Sequence, residues 1–384
     1  MEVYFDNSAT TKVLDSVRDV VVKMMTEDYA NPSAKHTKGM EAEQHIKEAR
    51  TVIAKTLKVK EKEILFTSGG SESNNLALIG TAMANQRAGK HIISTNVEHP
   101  SVYNPLGFLE ELGFEITYLP VDGHGHISLE ELEASVRPDT ILVSVMYVNN
   151  EVGSVEPLEE ISRIVKKKNP STLIHADAIQ AYGKYVIRPK REGIDLLSVS
   201  GHKFHGPKGV GFLYMDEKVK IRPMIYGGGQ QGGMRSGTEN VPGVAGLGMA
   251  AKEAYTNHEE KMDYLYGLKD YMMDRLEEIP GTHINSQRGR ESAPQIVSVS
   301  FDGIRSEVLL HALEDGGIYV SSGSACSSNH PGISGTLKGI GVKKELLDAT
   351  LRFSFSIFNT KEEIDYSMEV LQELLPVLRR YQRG

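Results

Sequence analysis

Between about residues 60 and 215 the chain alternates short apolar runs with stretches of helical periodicity. Runs at 64–67, 91–94, 116–119, 141–145, 173–176 and 195–199 are apolar throughout or nearly so. They are too short for helices and are bounded by polar and glycine residues, which predicts buried strands. Segments 72–87, 100–112 and 158–168 carry the intervening helical pattern. Strands alternating with helices predict an α/β fold with a mostly parallel sheet. Ligands in such sheets bind beyond the carboxyl ends of the strands, so functional residues are expected just after each run.

The last third follows another rhythm. Residues 254–279 predict one long helix ended by Pro280-Gly281, and strand-like runs follow at 296–301, 318–321 and 351–355. Thr360-Lys-Glu-Glu363 forms a capping box, and Ile364, Met368, Leu371 and Leu375 give the final helix an apolar face. This pattern predicts a smaller α+β domain beginning near residue 255.

Composition narrows the function classes. At 384 residues the chain exceeds the usual single-core limit, in keeping with two domains. The apolar stretch at 141–148 breaks at Ser144 and is too short to span a bilayer, and Met1-Glu-Val-Tyr-Phe-Asp6 has neither the basic nor the apolar region of a secretory signal. A cytoplasmic protein is the expectation. Net charge is −8, and the densest basic run, Lys166-Lys-Lys168, closes a helical pattern, where lysines complement the negative helix end. Nucleic-acid binding needs a whole basic face, so none is expected. A single cysteine excludes an intramolecular disulfide and any cysteine-based metal cluster, and leaves an inert or a reactive thiol.

Three segments carry candidate chemistry. Thr67-Ser-Gly-Gly-Ser-Glu-Ser73 follows a strand and opens a helix, a place where backbone N–H groups meet an anion such as phosphate. Asp177 ends a buried apolar run, where it serves either as a helix N-cap or as the partner of a protonated ring nitrogen. Lys203 follows another buried run within Ser198-Val-Ser-Gly-His-Lys-Phe-His-Gly-Pro-Lys-Gly209, placed to form a Schiff base with an aldehyde cofactor; Ser200 and His202 are candidate phosphate contacts, and Lys208 is the rival lysine, expected to face solvent.

Phosphate turn, strand-end acid and loop lysine recur in this order in the aspartate-aminotransferase-like (fold type I) pyridoxal-phosphate enzymes, which the chain resembles. More closely it resembles the cysteine desulfurases of the NifS/IscS type. The resemblance runs through Tyr4-Phe-Asp-Asn-Ser-Ala-Thr-Thr11, Asn31-Pro-Ser33, Asn96-Val-Glu-His-Pro-Ser101, Val148-Asn-Asn-Glu-Val-Gly153, Ser200-Gly-His-Lys-Phe204, Arg235-Ser-Gly-Thr-Glu-Asn240, Ser321-Ser-Gly-Ser-Ala-Cys326 and Leu351-Arg-Phe-Ser354. It implies a large cofactor-binding α/β domain over 15–254 and a small α+β domain formed by 1–14 with 255–384, which carries the nucleophile loop. It also implies that Lys203 is the Schiff-base lysine, Asp177 the partner of the pyridine nitrogen, and Gln180 the contact of the phenolic oxygen. By the same resemblance His99 stacks on the ring and assists proton transfer; Gly70, Ser71, Ser200 and His202 hold the phosphate; and Thr238 reaches the phosphate of the partner subunit of a homodimer. Asn150 is implied near the ring and the substrate, and Arg352 on the substrate carboxylate. Where many relatives carry an Ala-Thr pair, this chain has Gly69-Gly70-Ser71.

Cys326 lies in Ser321-Ser-Gly-Ser-Ala-Cys-Ser-Ser-Asn-His-Pro-Gly332, small and polar surroundings that do not bury a thiol. The resemblance implies that it takes sulfur from L-cysteine as a persulfide, leaving L-alanine, for an iron–sulfur scaffold or another thiolation acceptor. IscS-type relatives meet such a scaffold through a tail beyond the last helix, and the chain stops at Gly384, so the acceptor stays open. Three other functions stay open at this level. An aminotransferase needs no thiol, a selenocysteine lyase can use the same site, and a non-catalytic scaffold has no use for Lys203, Asp177, His99, Cys326 and Arg352 together.

Overall fold

A computed structural model describes residues 1–322 and 334–381. Its strands are β1 (Val3–Tyr4), β2 (Ile64–Thr67), β3 (His91–Thr95), β4 (Glu115–Leu119), β5 (Thr140–Met146), β6 (Leu173–Asp177), β7 (Leu196–Ser200), β8 (Gly211–Met215), β9 (Thr282–Ile284), β10 (Ile296–Phe301), β11 (Ile318–Tyr319), β12 (Ser321–Ser322) and β13 (Thr350–Ser354). Every apolar run of the first two thirds is a strand, shifted by a residue at most. They join in one sheet in the order β2-β8-β7-β6-β5-β3-β4.

The pairs β4–β3, β3–β5, β5–β6 and β6–β7 are parallel, whereas β8 is antiparallel to β7 and to β2. Connection length accounts for the reversal. A parallel crossover takes a dozen or more residues, and only residues 201–210 lie between β7 and β8. That turn carries Lys203. The parallel strands therefore end together at Thr95, Met146, Asp177 and Ser200, on the edge that holds the lysine turn.

A second sheet runs β12-β13-β10-β9, antiparallel throughout, and β1 pairs in parallel with β11. Its core joins Val3 and Phe5 to apolar residues between Met262 and Leu375. Two further clusters, with residues from Val17 to Ala293, pack the faces of the seven-stranded sheet. The N-terminal segment runs from the second sheet's core, where Phe5 accepts from the Ser354 N–H at 2.6 Å, to the lysine turn, where the Thr11 N–H donates to the His202 carbonyl at 2.9 Å.

The predicted helix over 254–279 is corrected by the structure. Two helices, Val241–Tyr255 and His258–Glu277, meet at Asn257, whose φ of 50° lies in the left-handed region that asparagine tolerates. Segment 72–87 is likewise broken, by a π-helical turn at Leu76–Gly80, where the Gly80 carbonyl accepts from Arg222 N–H. Helices Asp15–Thr26 and Thr37–Leu57 precede the sheet and cover one of its faces. They pack on Val241–Tyr255 through small residues, so closely that a Cβ on Gly248 would stand 2.7 Å from Ala49 Cα. Among the described residues no helix is long and apolar enough to cross a membrane.

Candidate active site

At the carboxyl edge of the parallel strands lies a cavity of about 260 Å³. Ten of the twelve expected site residues line it: Gly70, Ser71, His99, Asn150, Asp177, Gln180, Ser200, His202, Lys203 and Arg352. Thr238 does not; it is exposed, in the turn before helix Val241–Tyr255. Cys326 lies outside the described residues. The described residues on either side of that stretch stand beside the cavity, since Ser321 pairs with Arg352 across β12–β13 and Ser334 donates to Glu151 at 2.5 Å, next to Asn150.

Asp177 closes β6 and is 3% exposed. Its carboxylate accepts from Asn74 Nδ2 at 2.8 Å and from the Ile179 N–H at 3.0 Å. Both donors are neutral. Burial pushes the carboxyl up, while His99, these hydrogen bonds and Lys203 pull it back. The N-cap alternative for Asp177 has no helix to serve, because the chain continues through turns to Tyr185.

Lys203 Nζ donates to the carbonyls of Ser8 at 2.5 Å and Ala9 at 2.9 Å. Beneath the turn, Lys184 Nζ donates to the Lys203 carbonyl at 3.2 Å, and burial with the charge of Lys203 lowers it to about 8. Lys208 is exposed, as expected. The segment that receives Lys203 also accepts from Gln180 Nε2 at Ser8, and Thr11 Oγ1 donates to the His202 carbonyl.

His99 caps helix Pro100–Glu111, its Nδ1 accepting from Ser101 N–H at 3.1 Å. That bond leaves the neutral ring's proton on Nε2. Burial lowers the pKa of His99, Asp177 opposes the shift, and Lys203 adds to it. His202 falls to about 4 through burial and the charges of Lys203 and Lys208. Both rings are neutral near pH 7.

Gly70 begins the helix after β2, and a Cβ there would stand 2.2 Å from Ile179 Cδ1, inside the wall of the cavity. Gly69 has φ of 144°, a conformation L side chains rarely adopt. The first-turn N–H groups of a helix lack intrahelical partners and suit an anion.

Arg352 is 5% exposed; Nη2 donates to Asp6 at 3.0 Å and Nη1 to the Asn150 carbonyl at 2.8 Å. Its Nε is sealed from solvent and without a partner. Sequence reasoning missed Asp6, Asn74, Ser101 and the Ser8 and Ala9 carbonyls. Main-chain acceptors leave no residue-type signal, and Asn74 and Ser101 read as ordinary helix-start residues.

The class-V aminotransferase model matches residues 3–366. The chain belongs to that family. Within it, the chain is similar to the "Cysteine desulfurase IscS" of Dictyoglomus turgidum, 42% identical over 98% of this chain and 95% of that one. It is 44% identical to the protein of the same description from Methanosarcina thermophila, over 98% and 93%. A solved "NIFS-LIKE PROTEIN" superposes with a TM-score of 0.93 at 41% identity, covering 98% of this chain and all of that one. Family membership makes the chain a pyridoxal-phosphate-dependent cysteine desulfurase.

Proposed function

We propose that the chain converts L-cysteine to L-alanine, that the substrate sulfur passes to Cys326 as a persulfide, and that the residues around the cavity hold pyridoxal phosphate. The observation that carries this reading is the grouping of Asp177, His99 and Lys203 in one cavity, near enough for each to shift the titration of another.

The donor set fits the cofactor. Gly70 leaves room where a Cβ would collide with Ile179, and Ser71, Ser200 and His202 line the same cavity, a cradle for phosphate. Asp177, buried and bonded only to neutral donors, suits a protonated ring nitrogen. Gln180 and Asn150 stand ready for the remaining ring substituents. When bound, pyridoxal phosphate supplies an electron sink for the Cα–H and Cβ–S bonds of the substrate.

The chain's own residues do the rest. Arg352, which lines the cavity, binds the substrate carboxylate. Lys203 and His99 carry protons to and from the substrate carbon and sulfur. The Cys326 thiolate attacks the substrate sulfur; the new S–S bond forms as the Cβ–S bond breaks, and the carbon fragment gains protons to leave as alanine. Thr238, exposed here, completes the phosphate site of the partner subunit in a homodimer. Residues 15–254 form the cofactor domain, and 1–14 with 255–384 the small domain. The persulfide then passes to an acceptor protein such as an iron–sulfur scaffold.

Incubation with L-cysteine and pyridoxal phosphate is expected to add the mass of one sulfur to the peptide containing Cys326 and to release alanine. Cys326→Ser is expected to lose persulfide formation while keeping the visible absorption of the bound cofactor. Desulfuration by that variant at the parent rate would overturn the assignment.

A further inference from the structure

Under the floor of the active site lies a second, smaller space of about 10 Å³, at the lower limit for one water molecule. Met146, at the end of β5, lines both spaces. Glu98 and Glu156 line the smaller one together. Glu98 Oε1 accepts from Thr95 Oγ1 at 2.9 Å and from the Met146 N–H at 2.8 Å, tying the ends of the neighbouring strands β3 and β5. Glu156 Oε1 accepts from the Ile127 N–H at 3.0 Å. The Oε2 atom of each is sealed from solvent and has no hydrogen-bond partner.

Among the described residues neither carboxyl forms an ion pair with Lys, Arg or His. The charged groups that face them are acidic: Asp177 and Glu156 face Glu98, and Asp122 faces Glu156. His99, the next residue along the chain, is neutral near pH 7. Burial, reinforced by this repulsion, pushes both carboxyls up to about 8. A buried carboxylate without a cation is costly, whereas a protonated carboxyl both donates and accepts.

We propose that Glu98 and Glu156 stand as a neutral acid pair beneath the active site, and that Glu98 in its acid form is a positioning residue for His99. Glu98 fixes the turn from β3 into helix Pro100–Glu111, and His99 is the cap of that helix. Its neutrality has an electrostatic consequence. Two facing carboxyls in a low-dielectric setting do not both ionise, and one takes the proton. With the proton on Glu98, Asp177 keeps the charge that a protonated ring nitrogen requires.

Infrared spectra of the protein labelled with ¹³C at its glutamate carboxyls test the pair directly. At pH 7 the parent is expected to show an acid C=O stretch that Glu98→Gln and Glu156→Gln each diminish, and that turns into carboxylate absorption as pH rises through about 8. A parent without that band, or a band indifferent to both substitutions, overturns the neutral pair. The band is read without substrate, so it decides independently of desulfuration. The positioning role rests on the desulfurase reading and has its own arm. Glu98→Ala is expected to lower kcat roughly tenfold to a hundredfold with a smaller change in KM, the scale of a misplaced catalytic group. Glu98→Gln, which keeps the shape of the acid, is expected to recover most of that loss at pH 7 and to lack the parent's alkaline fall in kcat. A Glu98→Gln enzyme as impaired as Glu98→Ala overturns the positioning role, and it does so even where the alanine variant proves unstable.

Discussion

At the scale of single residues, the site rests on charges held by groups outside the reaction. Asp6 holds one arm of Arg352, and only the guanidinium Nε is left without a partner. Asp6→Asn keeps an acceptor but removes the opposing charge. It is expected to raise KM for cysteine roughly thirtyfold, the lower end of what breaking a buried charged pair costs, while cofactor absorption stays unchanged. Asp177→Asn is expected to cost more, lowering kcat on the order of a hundredfold and weakening cofactor retention on dialysis, because the neutral amide no longer stabilises a protonated ring. Lys203, Asp177 and the glycines were legible because their residue types stand out after apolar runs. Asp6 was not, since an acid near a chain end reads as a solvated residue until the fold brings Arg352 beside it.

Elements carry the geometry, and they were legible to the extent that their apolar residues are large. The strands of the main sheet are rich in Ile, Leu and Val and declare themselves. Helix Val241–Tyr255 buries Val241, Val244 and Leu247 beside Gly243, Gly246 and Gly248, and it is these helix-weakening glycines, not a lack of apolar residues, that blur its pattern. The final helix, Lys361–Tyr381, was legible from its cap: Thr360 N–H donates to Glu363 Oε2 at 3.1 Å, and Glu363 N–H to Thr360 Oγ1 at 3.3 Å. Thr360→Ala is expected to cost about 1 kcal/mol, read as a lower midpoint in denaturant unfolding without change in the slope. The helix after β2 offers a functional counterpart. A methyl at Gly70 forces Ile179 aside, and Gly70→Ala is expected to weaken cofactor binding several-fold with little effect on the unfolding midpoint.

For the whole molecule, buried titratable groups set the pH range of stability. His175 is fully buried and lowered to about 3, and burial with the charge of Lys184 lowers His205 to about 4. Unfolding lets these rings take up protons near pH 6.5, so the unfolded chain binds more protons below that pH and stability falls as pH drops. Glu98 and Glu156 act in the opposite sense. Their carboxyls, raised to about 8, keep protons that the unfolded chain releases near 4.5, so stability declines as pH rises towards 8. Thermal unfolding at fixed cofactor concentration is expected to give the highest midpoint near pH 6, and Glu98→Gln with Glu156→Gln is expected to flatten the alkaline side. A midpoint that climbs steadily from pH 6 to pH 8 would contradict this balance.

The N-terminal segment ties together parts of the chain made at opposite ends of synthesis. β1 pairs with Ile318–Tyr319, Asn7 Nδ2 donates to the Ser354 carbonyl, and the same segment delivers the Ser8 and Ala9 carbonyls to Lys203. Contacts so distant in sequence form late, because the loop between them must close first. The seven-stranded sheet can assemble once residue 215 has left the ribosome, yet the pocket around Lys203 stays unfinished until β13 emerges. In a nascent chain, tight capture of the cofactor would therefore mark the end of translation rather than the folding of the sheet that carries Asp177 and Lys203.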